Sequence, residues 1–201
     1  NTWKLIKKGN SFFYQDKKIK IKLNTKNVHS KGMFENVCLA IKVALDLKID
    51  KKIIQKTLPA LSFEGRFQYL NKGKIKNKLH KNETIMIDGA HATADAKNLA
   101  SYLKTVKIPK YGIWAMSKNK EPDLFIKQLK GIFEKIITMP IENESNSVSA
   151  NELFKIAIKN KINAAKSKNF KEALEKISNN KEKLIICFGS LYNCGNILNK
   201  N

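Results

Sequence analysis

Apolar and polar positions change their period along this chain. Residues 11–23 hold Phe12-Phe13-Tyr14, a polar Gln-Asp-Lys-Lys turn, and then Ile19, Ile21 and Leu23 in alternation, which predicts two short strands. Residues 24–33 are polar, contain Gly32 and read as a linker. From Phe34 the period becomes helical, with Phe34, Val37, Cys38, Ile41, Ala44 and Leu45 on one face. A second short helix is expected over 50–57, stopping before Pro59.

Beyond residue 67 the chain alternates. Apolar runs at 84–88, 111–116, 135–141 and 184–188 predict strands, and helical patterns follow near 92–106, 123–134, 149–159 and 190–198, with another near 169–178. Such alternation predicts an α/β domain, a Rossmann-like and mainly parallel sheet flanked by helices, with a short β-hairpin ahead of it. In sheets of this kind ligands bind at the carboxyl ends of strands.

Composition narrows the picture. The 201 residues and 42% apolar content suffice for a sizeable core. No apolar run approaches the length of a membrane span, and no leader pattern is present, which argues against a membrane association. Cys38, Cys187 and Cys194 are odd in number and lack metal-type spacing, so we expect free thiols in a cytoplasmic protein. A net charge of +22 raises nucleic-acid binding. The lysines are scattered, however, and no nucleic-acid motif accompanies them, so a solvated basic surface is expected and nucleic acid is not. The chain starts at Asn1 directly in structured-looking sequence, as the back part of a longer protein would.

Of the 39 basic residues only Arg66 is an arginine. In a chain that accepts Lys almost everywhere, one guanidinium points to bidentate recognition of phosphate or carboxylate. Ile85-Met86-Ile87-Asp88-Gly89-Ala90-His91 ends a strand on a carboxylate beside a helix start, where Asp88 can accept ribose hydroxyls or merely cap the helix. Ser190, in Phe188-Gly189-Ser190-Leu191-Tyr192, stands at a second strand-to-helix turn, where a cap is the ordinary role. Asn36, near the start of the first helix, offers a donor and an acceptor to a base edge.

In this order, Glu35-Asn36, Gly65-Arg66-Phe67-Gln68, Asp88-Gly89-Ala90-His91, Thr138-Met139-Pro140-Ile141 and Gly189-Ser190-Leu191-Tyr192 resemble the C-terminal portion of the folylpolyglutamate and dihydrofolate synthases, which are Mur-ligase-like ATP-dependent amide ligases. The resemblance implies that residues 1–30 are the tail of a central ATPase domain and 31–201 a Mur ligase-like C-terminal domain. It implies ATP and Mg²⁺ as cofactors, and chemistry in which a folate or dihydropteroate carboxyl is phosphorylated and then attacked by the amine of L-glutamate. Asn36, Arg66 and Asp88 would bind ATP, with Asn36 near adenine, Arg66 near the phosphates and Asp88 at the ribose. His91 and Ser190 would bind glutamate, and should then line one cleft. No catalytic residue or metal ligand is expected within the chain.

Departures accompany the matches. Ala92 stands where the family has Asn, Gly32-Met33 where it has His-Gln, and Lys120-Glu121 where it has Lys-Asp. No G-x-x-x-x-G-K-[ST] segment occurs, so the chain is expected not to complete the reaction alone and to need a separate N-terminal P-loop half. The competing reading is a non-catalytic remnant or binding module with residual nucleotide or glutamate binding. A P-loop-encoding frame immediately upstream would separate the two. Neither the linkage, alpha or gamma, nor the choice between folate and dihydropteroate is encoded in these residues.

Overall fold

A computed structural model describes residues 3–201, which pack as two compact units dividing between Phe63 and Glu64. Residues 1 and 2 of the expected 1–30 segment lie outside the described residues.

The first unit opens with an antiparallel meander, β1 (Trp3–Lys8), β2 (Ser11–Asp16) and β3 (Lys20–Lys22). Asp16 closes the β2–β3 turn by accepting from the backbone N–H groups of Lys18 and Ile19 at 2.8 and 2.7 Å. The expected hairpin is therefore β2 and β3, and β1 is an addition whose lysine-rich sequence hid its alternation. Helix α1 (Lys31–Asp46) starts at Ser30, whose Oγ accepts from Met33 N–H, and α2 (Lys51–Thr57) starts at Asp50, whose carboxylate accepts from Lys52 N–H.

Phe34, Val37, Cys38 and Ile41 of α1 share a buried cluster with Tyr14, Ile21, Leu23 and Ile54. Packing therefore joins the meander to α1 in one compact unit, which ends at Phe63.

The second unit is an α/β sandwich. Its strands are β4 (Gln68–Tyr69), β5 (Glu83–Asp88), β6 (Lys110–Trp114), β7 (Lys135–Thr138), β8 (Ala164–Lys166) and β9 (Lys183–Phe188). They lie in the order β4-β5-β9-β6-β7-β8, with β4 antiparallel and every other pairing parallel. The apolar runs are continuous because both faces are covered. One face presents Ile85, Ile87, Ile113, Ile137, Ile185 and Cys187 to α7 (Phe170–Glu175) and α8 (Leu191–Asn199). On the other, Trp114 and Phe188 stack against Phe125 of α5 (Pro122–Lys127), which contacts α4 (Thr93–Leu103) and α6 (Ala150–Lys159). Four elements differ from expectation: β4, α3 (Lys74–Lys78) and β8 are additions too short to carry a period, and α5 ends well before residue 134.

At the amino ends of the central strands, Glu83 and Lys183 are register partners and both fully buried, with Nζ to Oε1 at 3.1 Å. Glu83 also accepts from Ser178 Oγ at 2.6 Å, from Asn179 N–H at 2.7 Å and from His80 N–H at 3.0 Å. Burial pushes the Glu83 carboxyl up, yet these bonds outweigh it and hold the group below the usual carboxylate range. A depressed folded pKa means that the stabilisation is complete above the ordinary Glu range and is lost as pH falls through it. Lys183→Met should cost about 3 kcal/mol at pH 7 by leaving a buried carboxylate without its cation, and the deficit should shrink toward pH 4 as Glu83 takes a proton. Urea unfolding at the two pH values measures both.

Candidate functional site

The loop 65–67 and the end of β5 are held together by one carboxylate. Asp88 is buried, and its Oδ2 accepts from Phe67 N–H while Oδ1 accepts from Ala90 N–H, each at 2.8 Å. Phe67 sits at φ +46°, a region costly for a bulky side chain, so the bond to Asp88 secures a strained turn. Gly89 N–H donates to Gly65 O at 2.7 Å, and Gly65 N–H donates to Gln68 Oε1 at 2.8 Å. The two motifs, about twenty residues apart, form one folded element.

Arg66 is half-buried and lies against the Gly89 backbone, where a Cβ would stand 2.9 Å from its guanidinium. Among the described residues its guanidinium makes no hydrogen bond or ion pair within the protein. It is thus a pre-positioned cation with open donors, beside but not paired to Asp88. Asp88 is less open than a ribose acceptor would be, because each oxygen already takes a backbone N–H. Burial raises its carboxyl to about 6 against the lowering effect of those two bonds and of Arg66.

Strands β5 and β9 are parallel neighbours with Asp88 opposite Phe188, so the loops carrying His91 and Ser190 emerge side by side. The helix after β5 covers one face of the sheet and the helix after β9 covers the other, which leaves a crevice between the loops. A cavity of about 540 Å³ occupies it, lined by both His91 and Ser190. The expected convergence of these two side chains is therefore met in this structure. Gly189 lets the wall form: its φ is +109°, and a Cβ there would stand 2.2 Å from Ala115 O.

His91 is fixed by its Nδ1, which donates to Gly89 O at 2.8 Å and leaves Nε2 free of that bond. Asp95 accepts from the N–H groups of His91 and Ala92 at 3.2 Å each, closing the start of α4. Ser190 caps α8 by accepting from Asn193 N–H at 3.4 Å, so the capping role is real and coexists with its place in the cavity wall.

Of the remaining walls, Ser117, Asn119, Glu144 and Asn146 were not singled out from sequence. Ser117, Asn119 and Lys120 come from the loop after β6, Glu144 and Asn146 from the loop after β7, and Tyr192 from α8. Lys118 N–H donates to Asn146 O at 2.8 Å and Val148 N–H to Met116 O at 2.8 Å, which pins the two loops together. The carboxyl-end rule pointed to these loops, but their Asn and Lys residues are too common in this chain to stand out. Lys120 was noted only as half of a Lys-Glu pair.

Asn36 belongs to the first unit. It is exposed on α1 and lines an apolar groove of about 340 Å³ with Ala40, Ala44, Ile49, Leu58 and Phe63. Among the described residues, no group of three or more His, Cys, Asp or Glu side chains is placed to hold a metal ion. All three cysteines are free and buried, and no helix among the described residues is long and apolar enough to cross a membrane.

Because the folded pKa of Asp88 lies above its ordinary value, its contribution to stability is complete below the ordinary Asp range and is lost as pH rises through about 6. Carboxyl ¹³C titration should place the Asp88 midpoint near 6. The stability of wild type relative to Asp88→Asn should fall over the same interval; a midpoint in the ordinary Asp range would refute the buried geometry.

Comparison with known proteins follows the same lines. Structural similarity extends over nearly the whole chain. E. coli FolC in complex with ADP shares 15% identity over 98% of this chain and 46% of its own, with a TM-score of 0.79. A bifunctional folylpolyglutamate synthase/dihydrofolate synthase with Mn, AMPPNP and L-glutamate bound shares 17% over 98% of this chain and 45% of its own, at 0.76. Thermotoga maritima folylpolyglutamate synthase shares 22% over 94% of this chain and 42% of its own, at 0.70. At these identities the likeness shows the fold, and the chain spans a little under half the length of these relatives. No curated protein sequence matches it. The family model for the dihydrofolate synthetase C-terminal domain matches residues 71–200, well over half of the chain, and by that match the chain belongs to the family of dihydrofolate synthetase C-terminal domains.

Proposed function

We propose that this chain supplies the C-terminal part of an ATP-dependent folate ligase, which joins L-glutamate to a folate or dihydropteroate carboxyl through an acyl phosphate. The observation that carries the reading is the convergence of His91 and Ser190 on one polar cavity at the carboxyl edge of the sheet. The same walls hold an ammonium, Lys120, and a carboxylate, Glu144, and a dipolar lining suits a zwitterionic amino acid. The bifunctional synthase structure with L-glutamate bound supports that choice of ligand.

In this reading Arg66 neutralises charge on the phosphates as it grows during transfer, which its open guanidinium suits. Asp88 serves the ribose side chiefly by holding Arg66's loop in place, since its oxygens already accept from Phe67 and Ala90. The Asn36 amide, beside an apolar groove in the first unit, faces adenine. The nucleotide complexes of E. coli FolC and of the Yersinia pestis bifunctional enzyme support ATP as the cofactor. Mg²⁺ would act on the phosphates when bound, but the described residues do not form a site for it and no step is assigned to it here. Residues 1–30 would close a central ATPase domain, as the sequence resemblance implies.

The purified chain alone should release no ADP in the presence of folate, glutamate and ATP. With the missing half supplied, His91→Ala should raise the glutamate KM by roughly tenfold or more while the ATP KM stays within about twofold. Arg66→Lys should lower kcat by roughly tenfold, because an ammonium lacks the planar fork. Equal glutamate KM for wild type and His91→Ala would remove the glutamate assignment.

A further inference from the structure

The meander of the first unit sorts its side chains onto two faces of opposite chemistry. Leu5, Tyr14 and Ile21 are register neighbours and belong to the core cluster with α1. Alternation turns the residues between them the other way: Lys4, Ile6 and Lys8 on β1, Phe13 on β2, and Lys20 and Lys22 on β3. Ile6 pairs with Phe13 and Phe13 with Lys22, so the aromatic ring sits mid-face. All four lysines are exposed, and Phe13 is half-buried. The only carboxylate in residues 3–30, Asp16, lies on the core side, where it accepts from Tyr14 Oη at 2.8 Å and closes the β2–β3 turn.

An ordinary solvated surface mixes its charges. Helix α1 does so, pairing Lys31 with Glu35 and Lys42 with Asp46. The outer face of the meander instead gathers four ammonium groups, scattered in the sequence, around one ring with no carboxylate among them. Lys20 and Lys22 stand roughly 7 Å apart along β3, close to the step between phosphates of an extended single strand. Lys20 Nζ lies 4.9 Å from the Phe13 centroid, an exposed contact that a stacking base displaces at little cost.

We propose that the outer face of the β1–β2–β3 meander binds single-stranded nucleic acid, with a base on Phe13 and phosphates at Lys4, Lys8, Lys20 and Lys22. An aromatic platform beside ammonium groups is a general means of gripping an unpaired strand. A duplex is the poorer occupant, because its stacked bases offer no free face to Phe13. Lys has no planar fork for reading base edges, so binding is tolerant of sequence. An anionic lipid surface would satisfy the lysines but not the ring, which is half-buried between Ile6 and Lys22.

Fluorescence anisotropy of the purified full chain with short oligo(U) tests the assignment. Log affinity should fall against log salt with a slope of about −3, the value for four phosphate contacts on a single strand. Lys4→Gln, Lys8→Gln, Lys20→Gln and Lys22→Gln combined should weaken binding by roughly a hundredfold or more. The same four changes at Lys97, Lys104, Lys130 and Lys155, exposed lysines of the α/β unit, should weaken it by less than about threefold. Phe13→Leu keeps the face apolar at its centre, and should cost roughly tenfold with oligo(U) while leaving binding of inorganic polyphosphate unchanged. Equal losses in the two quadruple variants, full affinity of Phe13→Leu for oligo(U), polyphosphate or phosphatidylserine vesicles held as tightly as oligo(U), or no binding at low salt would each overturn the proposal. Should the first quadruple variant fail to fold, Phe13→Leu and a photoreactive oligo(U) crosslinked to wild type decide: the crosslink must fall on β1, β2 or β3.

Discussion

The candidate site depends on a carboxylate that the surrounding backbone occupies. Asp88 ends a central strand out of contact with water, and its two oxygens are taken by Phe67 N–H on one side and Ala90 N–H on the other. The first bond holds a turn at φ +46° that would otherwise relax, and the second sets the path of the chain into His91. Burial of that charge is unfavourable in itself and pushes the carboxyl pKa up. The cost is offset by positioning: a free guanidinium is aimed from one arm and a tethered imidazole from the other. Strain and a perturbed acid at a strand end are what a site, more than a core, accumulates.

The opposite end of the same strand pair shows the contrast. Glu83 and Lys183 are equally buried, but four donors converge on the carboxylate, and its pKa lies below the usual range. That end is a closed network around a buried ion pair. In one pair of parallel strands, the amino ends are satisfied internally and the carboxyl ends hold polar groups facing open volume. The division matches the general rule for open parallel sheets.

Much of this was legible in the sequence, and the limits have physical causes. The long apolar runs marked the central strands because β5, β6, β7 and β9 are covered on both faces and hold no charge between their end residues. β1, β8 and β4 escaped because short or edge strands built from Lys, Gln and Ala carry no period. The lone Arg66 and the Asp-Gly-Ala-His segment were visible as unusual residues, whereas Asn119, Lys120, Glu144 and Asn146 were hidden by a composition in which Asn and Lys are everywhere. The role of Asp88 was read as accepting ribose hydroxyls, and nothing local could show that Phe67, twenty-one residues earlier, already claims one of its oxygens.

The central claim is that His91 and Ser190 belong to one cavity that receives a single small amino acid. Titration of the purified, isotope-labelled chain with L-glutamate, followed by NMR at the His91 imidazole and the Ser190 β-carbon, tests it without any requirement for catalysis. The account predicts that both signals move with one shared dissociation constant, and that the Asn36 amide in the first unit does not respond. Movement of only one of the two, distinct constants for each, or no response at millimolar glutamate would contradict it.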